Sequence, residues 1–343
     1  MDILVLDAAA VERLIAAAVA APSIHNSQPW RFRLDPDTST IEVRALPERS
    51  LPATDPDDRA LHISVGAAVL NLRIAARRAG WAPAVRLLPD SAEPDLLAEV
   101  ELTDRSHARL ASTGELYDAI WRRHTVRTPF TGPPIPAEVL DRLAETAQAE
   151  EALLHFPTGD ERARLLELTA EAERRNTTDP VRSSESRRWI RGPGAPAYGI
   201  PAAALGPQDS DGRMPMRDFT AIHPQEPLAP ALFETRPCIA LLSTRGDAPV
   251  DWLRAGIALQ HLLLVATVHG VRASLLHQAM EWPELRRVAR DPQRGPSHPQ
   301  VLIRLGYGPE GAPTPRLAVS DVLDPDVLDP DVLDPDDGDP RRP

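Results

Sequence analysis

The 343-residue sequence contains no lysine, and all 38 of its basic residues are arginines. Without an ε-amino group the chain cannot form the Schiff base on which ordinary pyridoxal-phosphate catalysis depends. The same absence excludes the P-loop type of phosphate site, in which a lysine contacts the phosphates. Any phosphate site in this chain therefore has to use arginine, neutral side chains or backbone amides.

Cysteine and long apolar runs are also scarce. Cys238 is the single cysteine, so intramolecular disulfides and cysteine-based metal clusters are excluded. It lies in the strand-like run 237–242, where we expect a buried and unreactive thiol. No run of eighteen apolar residues occurs, so no transmembrane helix is expected. The N-terminus begins Met1-Asp2 and does not resemble a signal peptide, which predicts a cytoplasmic protein.

The charge of the chain and the absence of two common motifs exclude further classes. The formal net charge of −12 argues against a general nucleic-acid-binding protein. Nine aspartates and two arginines follow Arg316 and give −7, which leaves −5 for the rest of the chain. The sequence also lacks the G-x-S-x-G motif of serine hydrolases and the H-E-x-x-H motif of zinc proteases. We therefore predict neither a nucleic-acid partner nor a metal site.

Two apolar segments of the chain have the same length and pattern. The segments 66–80 and 256–270 each begin with a glycine and end with another fourteen residues later, where a helix end favours it. Each is followed by a short apolar run and then by a second strand candidate. A repeat of this kind predicts two domains of like topology. We place them at residues 1–112 and 113–320.

Two further segments have an unusual composition. Residues 176–230 are rich in proline, glycine, serine and arginine and show little periodicity. A long stretch without regular structure is typical of a lid or an insertion, and simple disorder is the alternative. Residues 321–343 contain Asp-Val-Leu-Asp-Pro three times, and their proline and charge predict a disordered acidic tail. The tail either binds a partner or is a repeat expansion without function.

Two short segments carry the residues that suggest chemistry. The loop 21–30, Ala-Pro-Ser-Ile-His-Asn-Ser-Gln-Pro-Trp, follows an apolar helix and offers short polar side chains and backbone donors. By itself such a loop could be a simple turn between a helix and a strand. The turn 122–127, Arg-Arg-His-Thr-Val-Arg, provides permanently charged, bidentate donors, which a phosphate favours. By itself this turn could be a solvated basic helix end.

Together these segments resemble the nitroreductase superfamily, most closely its two-domain Acg-type branch, over roughly residues 5–320. The resemblance implies an α+β fold, a tandem pseudo-dimer in which central antiparallel or mixed sheets are flanked by helices. It also implies flavin mononucleotide (FMN) as the cofactor. In dimeric members of the family the loop comes from one subunit and the arginine turn from the other. This chain has the loop only in its first half and the turn only in its second, so we expect one composite site and one FMN per chain.

The resemblance implies FMN-binding roles for residues of four segments. The loop surrounds the ribityl chain, Arg123 and Thr125 contact phosphate and ribityl oxygens, and Arg127 lies near N1 and O2. Arg316 returns to the phosphate after the last strand. The turn after residue 270 departs from the family's Pro-x-Glu-Gly pattern, and His277 there is either an acid near N5 or a histidine bonded to backbone. The FMN-binding residues predicted in this way are Pro22, Ser23, Ile24, Asn26, Gln28, Arg123, His124, Thr125, Arg127, Leu275, His277 and Arg316.

The resemblance further implies an oxidoreductase with ping-pong kinetics. NAD(P)H reduces the flavin, a nitroaromatic, quinone or enone then reoxidises it, and no side chain is assigned as a general acid. The alternative is an FMN-sequestering or storage protein, in which a lid at 176–230 stays closed and little NAD(P)H is turned over. A third interpretation is an interaction protein that keeps only the fold. The expected partners are FMN, NAD(P)H and a small-molecule acceptor, without a membrane, and the fused chain is expected to be a monomer or a weak homodimer.

Overall fold

A computed structural model describes residues 6–103, 111–192, 194–219, 228–290 and 297–324. The helices are α1 (Ala8–Val19), α2 (Arg59–Ala79), α3 (Ala111–Arg122), α4 (Ala137–Ala149), α5 (Gly159–Thr178), α6 (Pro180–Arg188), α7 (Pro249–Val268) and α8 (Pro283–Ala289). The strands are β1 (Trp30–Asp35), β2 (Thr40–Ala45), β3 (Ala82–Leu87), β4 (Leu96–Thr103), β5 (Leu153–His155), β6 (Ile190–Arg191), β7 (Ile200–Pro201), β8 (Gln208–Asp209), β9 (Pro230–Ala231), β10 (Cys238–Thr244), β11 (Arg272–Leu275) and β12 (His298–Gly306).

The two halves of the chain contain sheets with the same connection order. The first sheet runs β1-β2-β4-β3 and the second runs β5-β10-β12-β11, and all neighbouring strands in both are antiparallel. In each sheet a long helix, α2 or α7, connects an inner strand to the strand at the far edge. This confirms the predicted α+β class and the tandem arrangement. The predicted domain boundary at 112/113 falls in the first turn of α3.

The two repeat helices end where the sequence predicts, but each begins seven residues before the first glycine of its repeat, at Arg59 and at Pro249. The Asp55 carboxylate accepts hydrogen bonds from the N–H groups of Ala60 and Leu61 at 2.9 Å each, which satisfies free donors at the start of α2. Gly80 and Gly270 follow α2 and α7 in the left-handed conformation, with φ of 99° and 72°. Glycine adopts this conformation without the Cβ penalty of other residues, and so both helices stop there.

The first glycines of the two repeats meet at the crossing of α2 and α7. A Cβ atom at Gly66 would overlap the carbonyl of Leu253, and one at Gly256 would overlap the carbonyl of Ile63. Each glycine thus faces the residue three positions before the other glycine. The contact is reciprocal, as expected at an axis that relates two copies of one unit. The repeat seen in the sequence is therefore also the packing centre of the molecule.

Each sheet packs against one of the two central helices. The first core contains inward residues of β1, β2 and β4 together with α1 and α2, and Trp30 and Phe32 are fully buried in it. The second contains β10, β12, α4 and α7. Cys238 is half-buried beside this core, and burial raises the pKa of its thiol to about 11, as expected for an unreactive cysteine. No helix in the described ranges is long and apolar enough to cross a membrane.

The segment between β5 and β10 replaces the short turn that joins β1 to β2. It contains α5, α6 and four two-residue strands, so the expectation that residues 176–230 lack regular structure is wrong for the part that the structure describes. The end of α5 extends to Thr178, and Asp179 then caps α6 by accepting from Val181 N–H at 2.8 Å, with Pro180 in the first turn. Residues 193 and 220–227 of this segment lie outside the described residues.

The end of the described chain forms a strap, residues 314–324, along the first half. Leu317 and Val319 pack against the first core, and Val322 and Leu323 belong to it. Leu323 forms a parallel bridge with Phe32 of β1. The sequence predicted a disordered tail from residue 321 onward. That prediction is wrong for residues 321–324, which are folded. Residues 325–343 lie outside the described part of the chain.

Candidate functional site

A cavity lies between the two halves, beside the crossing of α2 and α7. It contains about 990 Å³ of empty space, part of which is open to solvent. Its walls come from both halves, from the inserted segment and from the strap. Ten of the twelve predicted site residues line it: Pro22, Ser23, Ile24, Asn26, Arg123, Thr125, Arg127, Leu275, His277 and Arg316.

The loop after α1 has an unusual backbone. His25, Asn26 and Gln28 have positive φ angles of 51°, 53° and 51°, a region in which non-glycine residues are uncommon and carry strain. The loop is held by hydrogen bonds to two hydroxyl groups. Ser23 Oγ accepts from Gln28 N–H at 3.0 Å, and Ser64 Oγ of α2 accepts another loop N–H at 3.1 Å. These contacts fix the loop against the cavity.

The side chain of Asn26 joins the loop to two distant segments. Its Nδ2 donates to the carbonyl oxygens of Gly199 at 2.8 Å and Pro315 at 3.0 Å. Its Oδ1 accepts from Nη1 of Arg316 at 2.9 Å. In this structure the amide of Asn26 is occupied by these protein contacts, so it positions the Arg316 guanidinium at the cavity wall.

Two arginines at the cavity wall lack an acidic partner among the described residues. Arg123 is 6% exposed and Arg316 is half-buried, and the Nε atoms of both are buried without a hydrogen-bond partner. Burial lowers the pKa of Arg123 to about 10. Burial and the neighbouring charge of Arg123 lower the pKa of Arg316 to about 9. An anion between these groups would relieve both effects.

A second pair of arginines lies close to one aromatic ring. The guanidinium carbons of Arg127 and Arg217 lie 5.9 Å and 5.8 Å from the ring centroid of Phe219. Arg127 Nη1 also donates to Ala204 O at 2.7 Å, and burial together with Arg217 lowers its pKa to about 10. This pair gives a second part of the cavity a positive potential and an aromatic surface.

The arginine turn is attached to the second sheet by backbone pairing. Thr125 forms a parallel bridge with Ala273 of β11, and Val126 N–H donates to Ala273 O at 2.8 Å. Leu275, two residues further along β11, lines the cavity. The turn and β11 therefore form one continuous wall.

His277 is a neutral hydrogen-bond donor. Its Nε2 lies 3.1 Å from Nη2 of Arg59, which also donates to Met280 O at 2.9 Å. Because a guanidinium can only donate, Nε2 accepts, and the proton of the neutral ring is on Nδ1. Burial and the positive charges of Arg59 and Arg217 lower the pKa of His277 well below its usual value. The ring of His277 thus accepts from an arginine, whereas the sequence suggested that His277 is either itself an acid or bonded to backbone.

Two predicted residues are outside the cavity lining. Gln28 is fully buried, donates to Ala197 O at 2.8 Å and accepts from Leu317 N–H at 3.0 Å, so it joins the loop to the inserted segment and the strap. His124 is half-buried, and a Cβ added at Gly311 would lie 3.2 Å from the Cβ of His124. Burial and the adjacent Arg123 lower the pKa of His124. Both residues hold segments that carry other site residues.

Several lining residues were not predicted from the sequence. The apolar and small side chains of the two central helices were interpreted only as core, and the signal for the cavity is the run of small residues on α2. Arg217 and Phe219 lie in the inserted segment, where no periodicity points to them. The unpredicted lining residues are His25, Ala60, Ile63, Ser64, Ala67, Ile200, Arg217, Phe219, Leu259, Glu281, Val301 and Thr314.

The acidic residue at the cavity wall is already paired. Glu281 is 6% exposed and forms an ion pair with Arg217. Its Oε2 accepts from Asn176 Nδ2 at 3.0 Å and lies 3.8 Å from Arg182 Nη1. Because two arginines share this carboxylate, it leaves the positive charge of the other cavity arginines uncompensated.

Residues 306–311 spell G-x-G-x-x-G directly after β12, a pattern found in dinucleotide-binding loops. That fingerprint requires a helix after the glycines, and residues 307–318, all described, contain none. Here the glycines allow close packing. A Cβ at Gly308 would lie 3.1 Å from the ring of Phe130, and one at Gly311 would lie 2.8 Å from Thr125 O. The motif seats the arginine turn against the end of β12.

No cluster of histidine, cysteine, aspartate and glutamate suited to a metal ion is found in the described ranges. The cavity is therefore characterised by its arginines and by neutral donors. Its positive charge and its apolar walls suit a ligand with an anionic group and a flat apolar part.

Comparisons with known proteins identify relatives of this chain. The uncharacterized protein Rv3127 of Mycobacterium tuberculosis (strain H37Rv) is 32% identical over 320 residues, which cover 91% of this chain and 92% of that protein. The "Putative NAD(P)H nitroreductase Rv3131" of the same organism is 31% identical over 327 residues, covering 93% and 92%. The solved FMN and NADPH-dependent nitroreductase NfnB of Sphigopyxis sp. strain HMH is 20% identical with a TM-score of 0.40, covering 61% of this chain and 97% of that one.

A family model gives the same assignment. The model of the nitroreductase family matches residues 120–307, more than half of the chain. This range contains the arginine turn, the inserted segment and the whole second sheet, and it ends before the strap. With relatives above 30% identity over nine-tenths of the sequence, the chain belongs to the nitroreductase family.

Proposed function

We propose that this protein is an FMN-dependent NAD(P)H oxidoreductase that binds one FMN in the cavity. The observation that carries the proposal is the pair Arg123 and Arg316, which have buried Nε atoms and no acidic partner among the described residues. The phosphate of FMN would supply the missing anion and accept bidentate hydrogen bonds. Family membership and the name of the relative Rv3131 also support this proposal.

The residues around the cavity divide the work by position. When bound here, FMN would supply hydride-transfer chemistry. Arg123 and Arg316 would hold its phosphate, and the hydroxyl groups of Ser23 and Thr125 would be donors for the ribityl chain. Positive charge at Arg127 favours the addition of electrons to a nearby flavin ring. The remaining wall consists of apolar side chains that exclude water.

His277 offers a hydrogen bond but no proton. Because Arg59 occupies Nε2, the Nδ1–H of His277 is the group available to a bound molecule. Its lowered pKa keeps the ring neutral at neutral pH. We therefore propose that proton transfer in the reaction involves solvent or substrate. We also propose that NAD(P)H and then a nitroaromatic, quinone or enone acceptor use the same cavity in ping-pong order.

The test of this proposal is FMN affinity in arginine variants. Replacement of a charge-assisted hydrogen-bond donor costs about 1.5–3 kcal/mol, so R123Q and R316Q should each weaken FMN binding by about tenfold to a hundredfold. Arg122 is the matched control, because it is the exposed neighbour of Arg123 on α3. Fluorescence titration of apoprotein with FMN measures the effect. Unchanged affinity in R123Q, or an equal loss in R122Q, would contradict the assignment.

FMN storage is a second candidate function, and contacts of the inserted segment favour it. Ile200, Arg217 and Phe219 of this segment form part of the cavity wall. Glu185 of α6 accepts hydrogen bonds from backbone N–H groups of the first half at 3.0 Å and 2.8 Å. His25 Nε2 lies 3.3 Å from Ser186 Oγ. A segment held down in this way would limit access of NAD(P)H.

Stopped-flow reduction of the FMN-loaded protein distinguishes the two functions. In an oxidoreductase, NADPH or NADH bleaches the flavin absorbance at a rate within the range of ordinary turnover, roughly 1–1,000 per second. A storage protein is bleached by dithionite but not by either nucleotide. Dithionite is the internal control, because it shows that the flavin itself is reducible.

A further inference from the structure

The edge of the first sheet is covered by the end of the strap. β1 is the outer strand of this sheet. The N–H of Phe32 donates to Val322 O at 2.8 Å, and Asp324 N–H donates to Phe32 O at 3.0 Å. Phe32 is fully buried with the strap in place, and without the strap both of these backbone groups would be unpaired at an open sheet edge.

The side chains of the same strap residues also contact the molecule. Val322 and Leu323 are 1% and 4% exposed and join the first core. Asp324 lies 3.7 Å from Arg31 of β1, on the opposite side of the strand from the core. Asp321 Oδ2 accepts from Ala318 N–H at 3.2 Å and closes the turn before the bridge. Each of the four residues therefore takes part in the docking.

These four residues are the start of a unit that the sequence repeats. Asp321–Asp324 and the proline after them read Asp-Val-Leu-Asp-Pro, and residues 326–330 and 331–335 have the same sequence. Each copy has the apolar pair, both carboxylates and the backbone donor at the same spacing. The proline ends the unit, because it has no N–H to continue the pairing. The four residues that dock on β1 are thus present two more times, whereas the position of Val319, two residues before them, is an aspartate in the later copies.

We propose that the β1 edge is a docking site for the Asp-Val-Leu-Asp sequence, and that residues 326–329 and 331–334 are spare occupants of it within the same chain. When a spare copy docks, the connection from Val319 becomes five or ten residues longer. The entropic cost of closing a loop grows slowly with its length. This extension therefore costs less free energy than leaving the apolar docking site of the leucine exposed to water. The first copy is favoured because its connection is shortest.

When one copy of the sequence replaces another on β1, the sheet edge stays covered, but the length of chain between Arg316 and the docked residues changes. Arg316 precedes the docked residues by only five positions and lies at the cavity wall. With the first copy docked, the strap is held on both sides of Leu317. With a later copy docked, the chain between Arg316 and β1 is longer and less constrained.

The experiment compares leucine variants of the full chain by hydrogen exchange of residues 30–34 and by thermal unfolding. L323S should keep most of the protection of β1, because Leu328 replaces the lost side chain, and L328S/L333S is the matched control. L323S/L328S/L333S should lose the protection and lower the unfolding midpoint by about 5 °C. If the triple variant fails to fold, L323S/L333S still tests the proposal, since it has one intact copy and should behave like L323S.

Three outcomes would overturn the proposal. Exposure of β1 in L323S as complete as in the triple variant would mean that only the first copy docks. The triple variant with undiminished protection would mean that the leucine does not anchor the strap. A concentration-dependent dimer of L323S in light scattering would place the spare copies on a second molecule. None of these outcomes depends on FMN, so the proposed function is tested separately.

Discussion

At the scale of single residues, the site combines two arginines that have no acidic partner in the described part of the chain with histidines kept neutral. The arginines of the turn and the strap could be predicted, because a resemblance over ten consecutive loop residues fixed where to search for basic partners. The pairing of Arg59 with His277 could not, since 218 positions separate them and only tertiary folding brings them together. The same holds for Arg217, which reaches the cavity from the inserted segment.

The neutral histidines predict how stability depends on pH. Burial and nearby arginines lower the folded-state pKa of His25 and His277 well below 6.5. Below pH 6.5 the unfolded chain therefore binds protons that the folded protein does not, so stability falls as the pH is lowered. Each such histidine contributes a slope approaching about 1.4 kcal/mol per pH unit.

Urea unfolding of the apoprotein between pH 5 and 7 measures this slope. The free energy of unfolding of H277Q should depend less on pH than that of the parent, by the contribution of one histidine. H277Q should therefore lose less stability than the parent at low pH. H269Q is the control, because His269 is exposed at the end of α7. The account is wrong for His277 if H277Q and the parent lose stability in parallel.

At the scale of elements, the sequence predicted the central helices but not helix α6 of the inserted segment. The segments 66–80 and 256–270 combine apolar periodicity with terminal glycines, and these local signals agree with the final packing. In contrast, α6 (Pro180–Arg188) is almost wholly polar, and only the Asp179-Pro180 pair marks its beginning. A helix stabilised by ion pairs and by capping leaves little hydrophobic pattern to detect.

The helix crossing predicts a strong effect of one added methyl group. G66A should destabilise the protein by about 3 kcal/mol, because the new Cβ would overlap the Leu253 carbonyl and force two packed helices apart. G256A should have a similar effect. The double variant should lose less stability than the sum of the two single variants, because both changes push apart the same helix crossing. Chemical denaturation measures these values.

The control for the crossing is a helical glycine in open space. A Cβ at Gly114 of α3 would have no atom within 4 Å. G114A should therefore be neutral or stabilise the protein by up to about 1 kcal/mol, since alanine favours helix. A destabilisation by G114A as large as that of G66A would mean that the close helix contact is not the cause.

At the scale of the whole molecule, two halves of like topology build one site from unlike parts. The first half contributes the loop at 22–26 and one face of α2, and the second contributes the arginine turn and β11. The inserted segment and the strap then complete the wall. Sequence analysis could assign the two main contributions because each is a contiguous motif. It could not place the wall residues of α2, because periodicity identifies an apolar face without saying whether it packs or lines a cavity.

The proposal of one composite FMN site per chain can be checked by stoichiometry. Apoprotein of known concentration, well above the dissociation constant, is titrated with FMN, and the equivalence point is read from flavin fluorescence. We expect one FMN per chain, because the loop and the arginine turn each occur once. Two FMN per chain, or no saturable binding, would contradict it.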